Sequence, residues 1–163
     1  MAKGTEIIVT ANPRGLFREG TIAAGETPKP GTIVQIQTSA GIGNDGNFTY
    51  EIYNADADGA RPKGPLFILL PDRLSGKLET AAYAAGEHGF VYTPMPGEEF
   101  NCIVGDVAGT GDDHAFGEIL IIDDTTGELV ATTGTPETEC FMCLETITDP
   151  TADTLTHVIY TGY

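Results

Sequence analysis

The second half of this chain contains no lysine and no arginine. All eight basic residues of the 163-residue sequence lie at or before Lys77, where eight Asp and Glu residues balance them. The formal net charge of -16 therefore belongs entirely to residues 78–163. Because a buried carboxylate without a partner is costly, these acids must face water, bind cations or meet basic groups from elsewhere. We expect a protein that docks through one side and shows an acidic side to solvent.

Clustered basic residues and long apolar runs are also scarce. A pI near 4.2 argues against nucleic acid and anionic membrane surfaces as partners. The apolar run after Lys3 is too short for a signal peptide or a membrane-spanning helix, so we expect a chain that is made and kept in a cytoplasm. Three cysteines, an odd number, agree with a reducing compartment and no disulfide framework.

Glycine and proline interrupt the chain about every ten residues and separate short β-rich runs. Residues 78–85 alone have helical spacing, and they predict the one plausible helix of the chain, a short one. The pattern predicts an all-β fold, a compact β-barrel or β-tulip-like domain or a sandwich, with an extended N-terminal arm. The predicted strands are residues 6–10, 32–38, 48–53, 66–70, 88–92, 100–104, 118–122, 129–133, 139–147 and 154–160.

Two local patterns are more specific. Phe48, Tyr50 and Ile52 alternate with polar or aromatic neighbours, which places them on one face of a strand. Residues 123–127, Asp-Asp-Thr-Thr-Gly, join two apolar runs and predict a hairpin loop whose glycine has a positive φ.

The stretch 11–31 differs from the rest of the chain. It holds three prolines and three of the eight basic residues, and its large apolar residues are Leu16, Phe17 and Ile22. We therefore divide the chain into residues 1–31, an N-terminal strand followed by a docking arm outside the core, and residues 32–163, a single β-rich domain with an acidic second half.

Four motifs invite a chemical interpretation. Residues 41–46 match the GxGxxG pattern, but a strand pattern follows where a phosphate site needs a helix, so a turn is favoured. Residues 54–59 resemble the start of a calcium loop, but its twelfth position is Pro65 and a polar turn is favoured.

The other two motifs involve cysteine and histidine. Cys140 and Cys143 have zinc-ligand spacing, but they lie in an apolar run, so core cysteines are favoured. The Asp112-Asp113-His114 run is interpreted as a solvated loop, since no nucleophile motif accompanies it. We predict no catalytic residue, no cofactor site and no metal site.

Three segments in the second half of the chain carry motifs in a definite order. Residues 74–87 carry Leu-Ser-Gly-Lys and Tyr-Ala-Ala-Gly-Glu, and Pro-Gly-Glu-Glu follows within 94–100. Residues 117–129 carry Gly-Glu-Ile-Leu and Asp-Thr-Thr-Gly-Glu-Leu, and residues 141–145 are followed by the run from Thr148 to Asp153. Together these segments resemble capsid decoration (cement) proteins of tailed phages, which have a similar Gly-Asp-x-Leu and Asp-x-x-Gly-x-Leu hairpin and a similar closing segment.

This resemblance implies a non-enzymatic β-rich protein that binds the outside of an assembled head, usually as a homotrimer. The implied partner is the major capsid protein, and the implied location is the virion surface, with the host cytoplasm during assembly. An acidic exterior would keep such a surface from binding nucleic acid. On this reading the arm docks on the capsid or on a neighbouring subunit through Arg14, Leu16, Phe17 and Arg18.

Two other function classes remain open from the sequence. One is an adhesion or carbohydrate-binding module on a particle surface, in which Tyr53, Tyr92, Tyr160 and Tyr163 stack on sugars. The other is a small metal-dependent enzyme that uses Asp112, Asp113 and His114.

Overall fold

Ten strands make up the regular structure of the computed structural model, which describes residues 6–37, 47–53, 65–74, 76, 78, 80–105, 113–123, 125–131, 141–148 and 154–162. No helix occurs within these ranges, which confirms the all-β class. The strands are β1 (Leu16–Ile22), β2 (Ile33–Ile36), β3 (Phe48–Ile52), β4 (Phe67–Leu70), β5 (His88–Thr93), β6 (Glu99–Ile103), β7 (Ile119–Ile122), β8 (Leu129–Ala131), β9 (Phe141–Cys143) and β10 (Leu155–Tyr160).

The first five strands close into a barrel in the order β1-β3-β2-β4-β5. β1 runs parallel to β3 and antiparallel to β5, and the remaining pairs are antiparallel. β1 lies within the stretch that the sequence placed outside the core, and its end residue Ile22 is buried in the barrel interior. That expectation was wrong for residues 16–22, because the hydrogen bonds of β1 to two neighbours close the barrel.

The last five strands form an antiparallel sheet in the order β6-β10-β9-β7-β8. We call it the acidic sheet. A bridge between Val104 and Leu129 joins its two outer strands. The predicted strand 6–10 is reduced to a bridge between Ile8 and Phe100, although Asn101 also donates its backbone N–H to the Ile7 carbonyl at 2.7 Å.

Alternating side chains divide the apolar residues into two clusters. On β4, Phe67 and Leu69 point into the barrel, while Ile68 and Leu70 belong to the cluster shared with the acidic sheet. This is why β4 is an uninterrupted apolar run, as strands buried on both faces usually are. The predicted common face of Phe48 and Tyr50 is confirmed, since both pack in the barrel cluster.

The predicted helix at 78–85 is absent from the described residues 78 and 80–85. Tyr83 explains the difference. Its backbone N–H bonds to the Pro28 carbonyl at 2.8 Å and its hydroxyl donates to the Leu70 carbonyl at 2.7 Å. The buried ring also packs in the barrel cluster. These tertiary contacts outweigh the helical propensity of so short a segment, which is marginal by itself.

The predicted hairpin loop between β7 and β8 is confirmed. Gly127 has a φ of 69°. Its N–H donates to the Asp123 carbonyl at 2.9 Å, and the Asp123 carboxylate accepts the N–H of Thr126 at 2.8 Å. The Gly127 carbonyl then accepts the N–H of Ile33 at 2.8 Å. The tip of an acidic-sheet hairpin is thus hydrogen-bonded to barrel strand β2.

Candidate docking surface

The four predicted interface residues lie together at the exposed beginning of β1. Leu16 and Phe17 are each 59 % exposed, and Arg14 and Arg18 are exposed as well. Residues 16–21 pair with β5, but β3 pairs only with residues 20–22. Within the described residues, the first half of β1 therefore has an unpaired outer edge. Such edges offer free backbone groups to a partner.

The two arginines at this end of β1 have different surroundings. The Arg14 side chain donates to the Pro96 carbonyl at 2.9 Å, so it holds its own chain. The Arg18 guanidinium lies 5.9 Å from the centroid of the Phe48 ring, at cation–π distance. Phe17 meets the buried Tyr92 ring edge-on, with 4.9 Å between centroids. Arg14 is therefore bound to its own chain, while the side chains of Leu16 and Arg18 remain exposed.

A buried carboxylate fixes the chain just before β1. Glu98 is 1 % exposed and accepts the backbone N–H of Arg14, the N–H of Met95 at 2.8 Å and the Tyr92 hydroxyl at 2.9 Å. The Tyr92 oxygen in turn accepts the N–H of Gly15 at 2.5 Å. Residues 14 and 15 are therefore held beside the β5–β6 connection, which sets the position of Leu16 and Phe17.

Hydrogen bonding determines the ionisation of this cluster. Burial alone would raise the pKa of Glu98, but the donors from Arg14, Met95 and Tyr92 outweigh burial and lower it. Burial and the hydrogen bond to Glu98 raise the pKa of Tyr92 to about 12. At neutral pH the pair is a carboxylate with a neutral phenol. Hydrogen-bond donors therefore compensate the buried negative charge of Glu98.

Tyr92→Phe is expected to lower the free energy of unfolding by about 1–3 kcal/mol, because it removes a hydroxyl that accepts the Gly15 N–H and donates to Glu98. Tyr50→Phe is the matched control. Tyr50 is equally buried, but its hydroxyl has no hydrogen-bond partner in the described part of the chain. Its removal is expected to be neutral or slightly stabilising. Urea denaturation of both variants checks this, and equal losses would contradict it.

The charge asymmetry of the sequence coincides with the architecture. After Thr93, where the barrel ends, the chain has 14 Asp and Glu residues and no Lys or Arg. Two of these acids meet histidines. Glu99 bonds to the His157 ring at 2.9 Å and Glu118 bonds to the His114 ring at 3.1 Å. All the Lys and Arg residues of this protein therefore belong to the N-terminal segment and the barrel half.

The outward face of the acidic sheet carries a row of apolar side chains that sequence reasoning missed. Cross-strand pairing aligns Glu99 with Ile159, Ile159 with Met142, and Met142 with Ile119. Ile119 is 37 % exposed, and Ile159 and Met142 are partly buried. The signal was present in the sequence, because β7 is apolar at four consecutive positions, and one of its faces must point away from the core.

The structure also tests the cysteine and histidine motifs. Cys143 and Cys102 are buried in the shared cluster, as expected of core cysteines, while Cys140 lies outside the described residues. The solvated-loop interpretation was wrong for His114. It is fully buried, and its ring nitrogens contact the Glu118 carboxylate and, at 3.2 Å, the Gly105 carbonyl. Asp112 is not described, and Asp113 is exposed.

Metal and nucleotide chemistry gains no support from the described residues. No three His, Cys, Asp or Glu side chains among them lie close enough to hold a metal ion. The motifs at residues 41–46 and 54–59 lie outside the described ranges. A helix able to cross a membrane is not found in the described part of the chain.

The sugar-stacking hypothesis is contradicted for three of its four rings. Tyr53, Tyr92 and Tyr160 are buried, so their faces pack against protein and cannot receive a sugar. Tyr163 lies outside the described residues. Spacing along strands did not reveal this, because Tyr53, Tyr92 and Tyr160 face the cluster shared by the barrel and the acidic sheet.

Comparison with known proteins identifies the fold. No protein-family model matches this chain, and no curated protein matches it. Among solved structures, the chain is similar to the head fiber gp8.5 N base of bacteriophage phi29, with a TM-score of 0.51 and 15 % sequence identity. The match covers 90 % of this chain and 95 % of that chain. The two proteins share a fold. The resemblance to phage decoration proteins is thereby supported in its coarser form, a likeness to a protein of a phage head.

Proposed function

We propose that this chain is a non-enzymatic structural protein of a phage virion, attached to the outer surface of the head. The observation that carries the proposal is the shared fold with a phage head fiber base over nearly the full length of both chains. The sequence resemblance to capsid decoration proteins supports the same location independently, since it rests on residues 74–153 and on motif order.

Within that role, we propose that the protein binds the assembled head and stabilises it, as a cement protein does. The partner would be the major capsid protein, and the working unit would be a homotrimer. The asymmetric charge supports this arrangement, because an acidic sheet facing outward repels nucleic acid and other acidic surfaces.

The docking surface that we propose consists of Arg14, Leu16, Phe17 and Arg18, at a capsid or neighbouring-subunit interface. These residues lie on or next to a barrel strand that is hydrogen-bonded to β5 and held in place through Glu98. A surface that is already ordered loses little conformational entropy when it binds. The exposed apolar pair supplies area for burial, and the arginines supply charge that steers association.

Leu16→Ala with Phe17→Ala is expected to reduce the occupancy of empty phage heads strongly. Full burial of both side chains in an interface would be worth on the order of 4 kcal/mol. The free protein should keep most of its stability, because both side chains are largely exposed and Phe17 only meets the Tyr92 ring edge-on in the described part of the chain. Occupancy is measured by co-sedimentation with heads, and stability by thermal melting.

Leu74→Ala with Leu78→Ala is the matched control, since it also removes two exposed apolar side chains, but outside the strands. It should leave occupancy unchanged. Unchanged occupancy in the Leu16 and Phe17 variant with a large fall in melting temperature would show that the pair serves the fold alone. Failure of the wild-type protein to bind heads at all would overturn the proposed function.

A further inference from the structure

We propose that copies of this chain associate head to tail, through two different surfaces. The first, the β1 tip, consists of Leu16 and Arg18, which lie on the same face of β1. The second, the sheet row, consists of Glu99, Ile159, Met142 and Ile119 on the outward face of the acidic sheet. The β1 tip of one copy would lie on the sheet row of the next. This inference concerns the free protein and goes beyond attachment to a head.

The sheet row is a continuous strip across the sheet. Its four side chains are neighbours on four successive strands, β6, β10, β9 and β7, and together they span about 14 Å at the usual strand spacing. Three are apolar and the fourth is a carboxylate whose side chain is 41 % exposed. Phe116, in the turn before β7, adds a further exposed ring close in sequence to Ile119.

The β1 tip has the complementary composition. Leu16 is among the most exposed large apolar side chains of the described residues, and Arg18 is exposed two positions later. Strand alternation puts Leu16 and Arg18 on one face and Phe17 and Glu19 on the other. A partner that meets the Leu16 face therefore meets a cation and avoids Glu19.

Charge decides between head-to-tail and symmetric pairing. Two acidic sheets packed face to face would bring the Glu99 carboxylates together, and that half of the chain has no Lys or Arg to compensate. Like charges brought together in an interface are strongly unfavourable. Arg18 beside exposed apolar groups supplies what the sheet row lacks. Since the two surfaces differ, their association would produce a closed ring or a chain of copies.

Two variants test the proposal in solution. The tip variant carries Leu16→Ser and Arg18→Ser, and the row variant carries Ile119→Ser and Met142→Ser. Serine is neutral, so neither variant gains a new charge for the other to bind. Sedimentation velocity of the wild type should show association that weakens with salt, as contacts that use charge do. The association constant of each variant alone should be at least about tenfold lower than that of the wild type, because a small number of anchor residues dominates such interfaces.

The decisive sample is the mixture of the two variants. Each still has one intact surface, so a head-to-tail contact should produce a heterodimer and nothing larger. A wild type that stays monomeric, a variant that associates like the wild type, or a mixture that stays monomeric would each overturn the proposal. Phage heads are absent from this experiment, so its failure would leave head binding untouched, and failure of head binding would leave this result standing.

A second pair of variants covers the case in which the serine variants unfold. Arg18→Glu and Glu99→Arg should each abolish association, by opposing like charges across the contact. Mixing them should restore association, because each tip then meets a row of the opposite charge. Restoration in the mixture excludes misfolding as the cause of the single losses, and its absence would contradict the assigned pairing of Arg18 with Glu99.

Discussion

Gly127→Ala is expected to lower the free energy of unfolding by about 4 kcal/mol. A positive φ of 69° costs an alanine about 1–2 kcal/mol by itself. The added Cβ would also lie 2.5 Å from the Ile33 carbonyl oxygen and 2.8 Å from Thr32. Backbone must move to relieve the first contact, and that movement breaks the 2.8 Å hydrogen bond from Ile33 to Gly127. Urea denaturation followed by fluorescence or circular dichroism measures the loss.

Gly117→Ala is the control that separates the cost of a positive φ from the cost of the close contacts at Gly127. Gly117 also has a positive φ, at 84°, but a Cβ there meets nothing within 4 Å. It should cost only the backbone term of about 1–2 kcal/mol. Equal losses for the two variants would show that the close approach of the β7–β8 hairpin to the barrel contributes nothing to stability.

Glu98→Ala is expected to cost about 4 kcal/mol, the second large effect. The carboxylate accepts hydrogen bonds from Arg14, Met95 and Tyr92, and its removal leaves these buried or half-buried donors without their acceptor. Glu99→Gln is the control, because the neighbouring carboxylate is 41 % exposed and its bond to His157 is partly solvated. That change should cost less than about 1 kcal/mol.

The pH dependence of stability should change with the same residue. The folded state lowers the pKa of Glu98 below its ordinary value of 4.5, so the unfolded chain binds the proton more readily. The stabilisation is fully present above pH 4.5 and is lost as the pH falls through the folded-state pKa. Glu98→Gln does not titrate, so its stability deficit should shrink on acidification. A deficit that stays constant would show that Glu98 stabilises by shape alone.

Local pattern was enough for much of this fold. Short apolar runs between glycine and proline predicted an all-β chain, and β2 to β10 each overlap a predicted strand. The turn at 123–127 was predicted correctly, because its side-chain-to-backbone hydrogen bonds involve residues close in sequence. The charge division was visible as well, since counting residues needs no structure.

Long-range pairing decided what the sequence did not reveal. β1 lacks a clear apolar alternation, and only its hydrogen bonds with β5 and β3 make it a barrel strand. Glu98 has no local signature, because its donors include Arg14, which is 84 positions away. Tyr92 was predicted to be exposed, and only the packing of the barrel on the acidic sheet buries its ring. Local sequence determines β2 to β10, the turn at 123–127 and the charge of each half, since these depend on neighbouring residues. The tertiary structure decides which faces remain exposed, because burial depends on contacts between strands far apart in the chain.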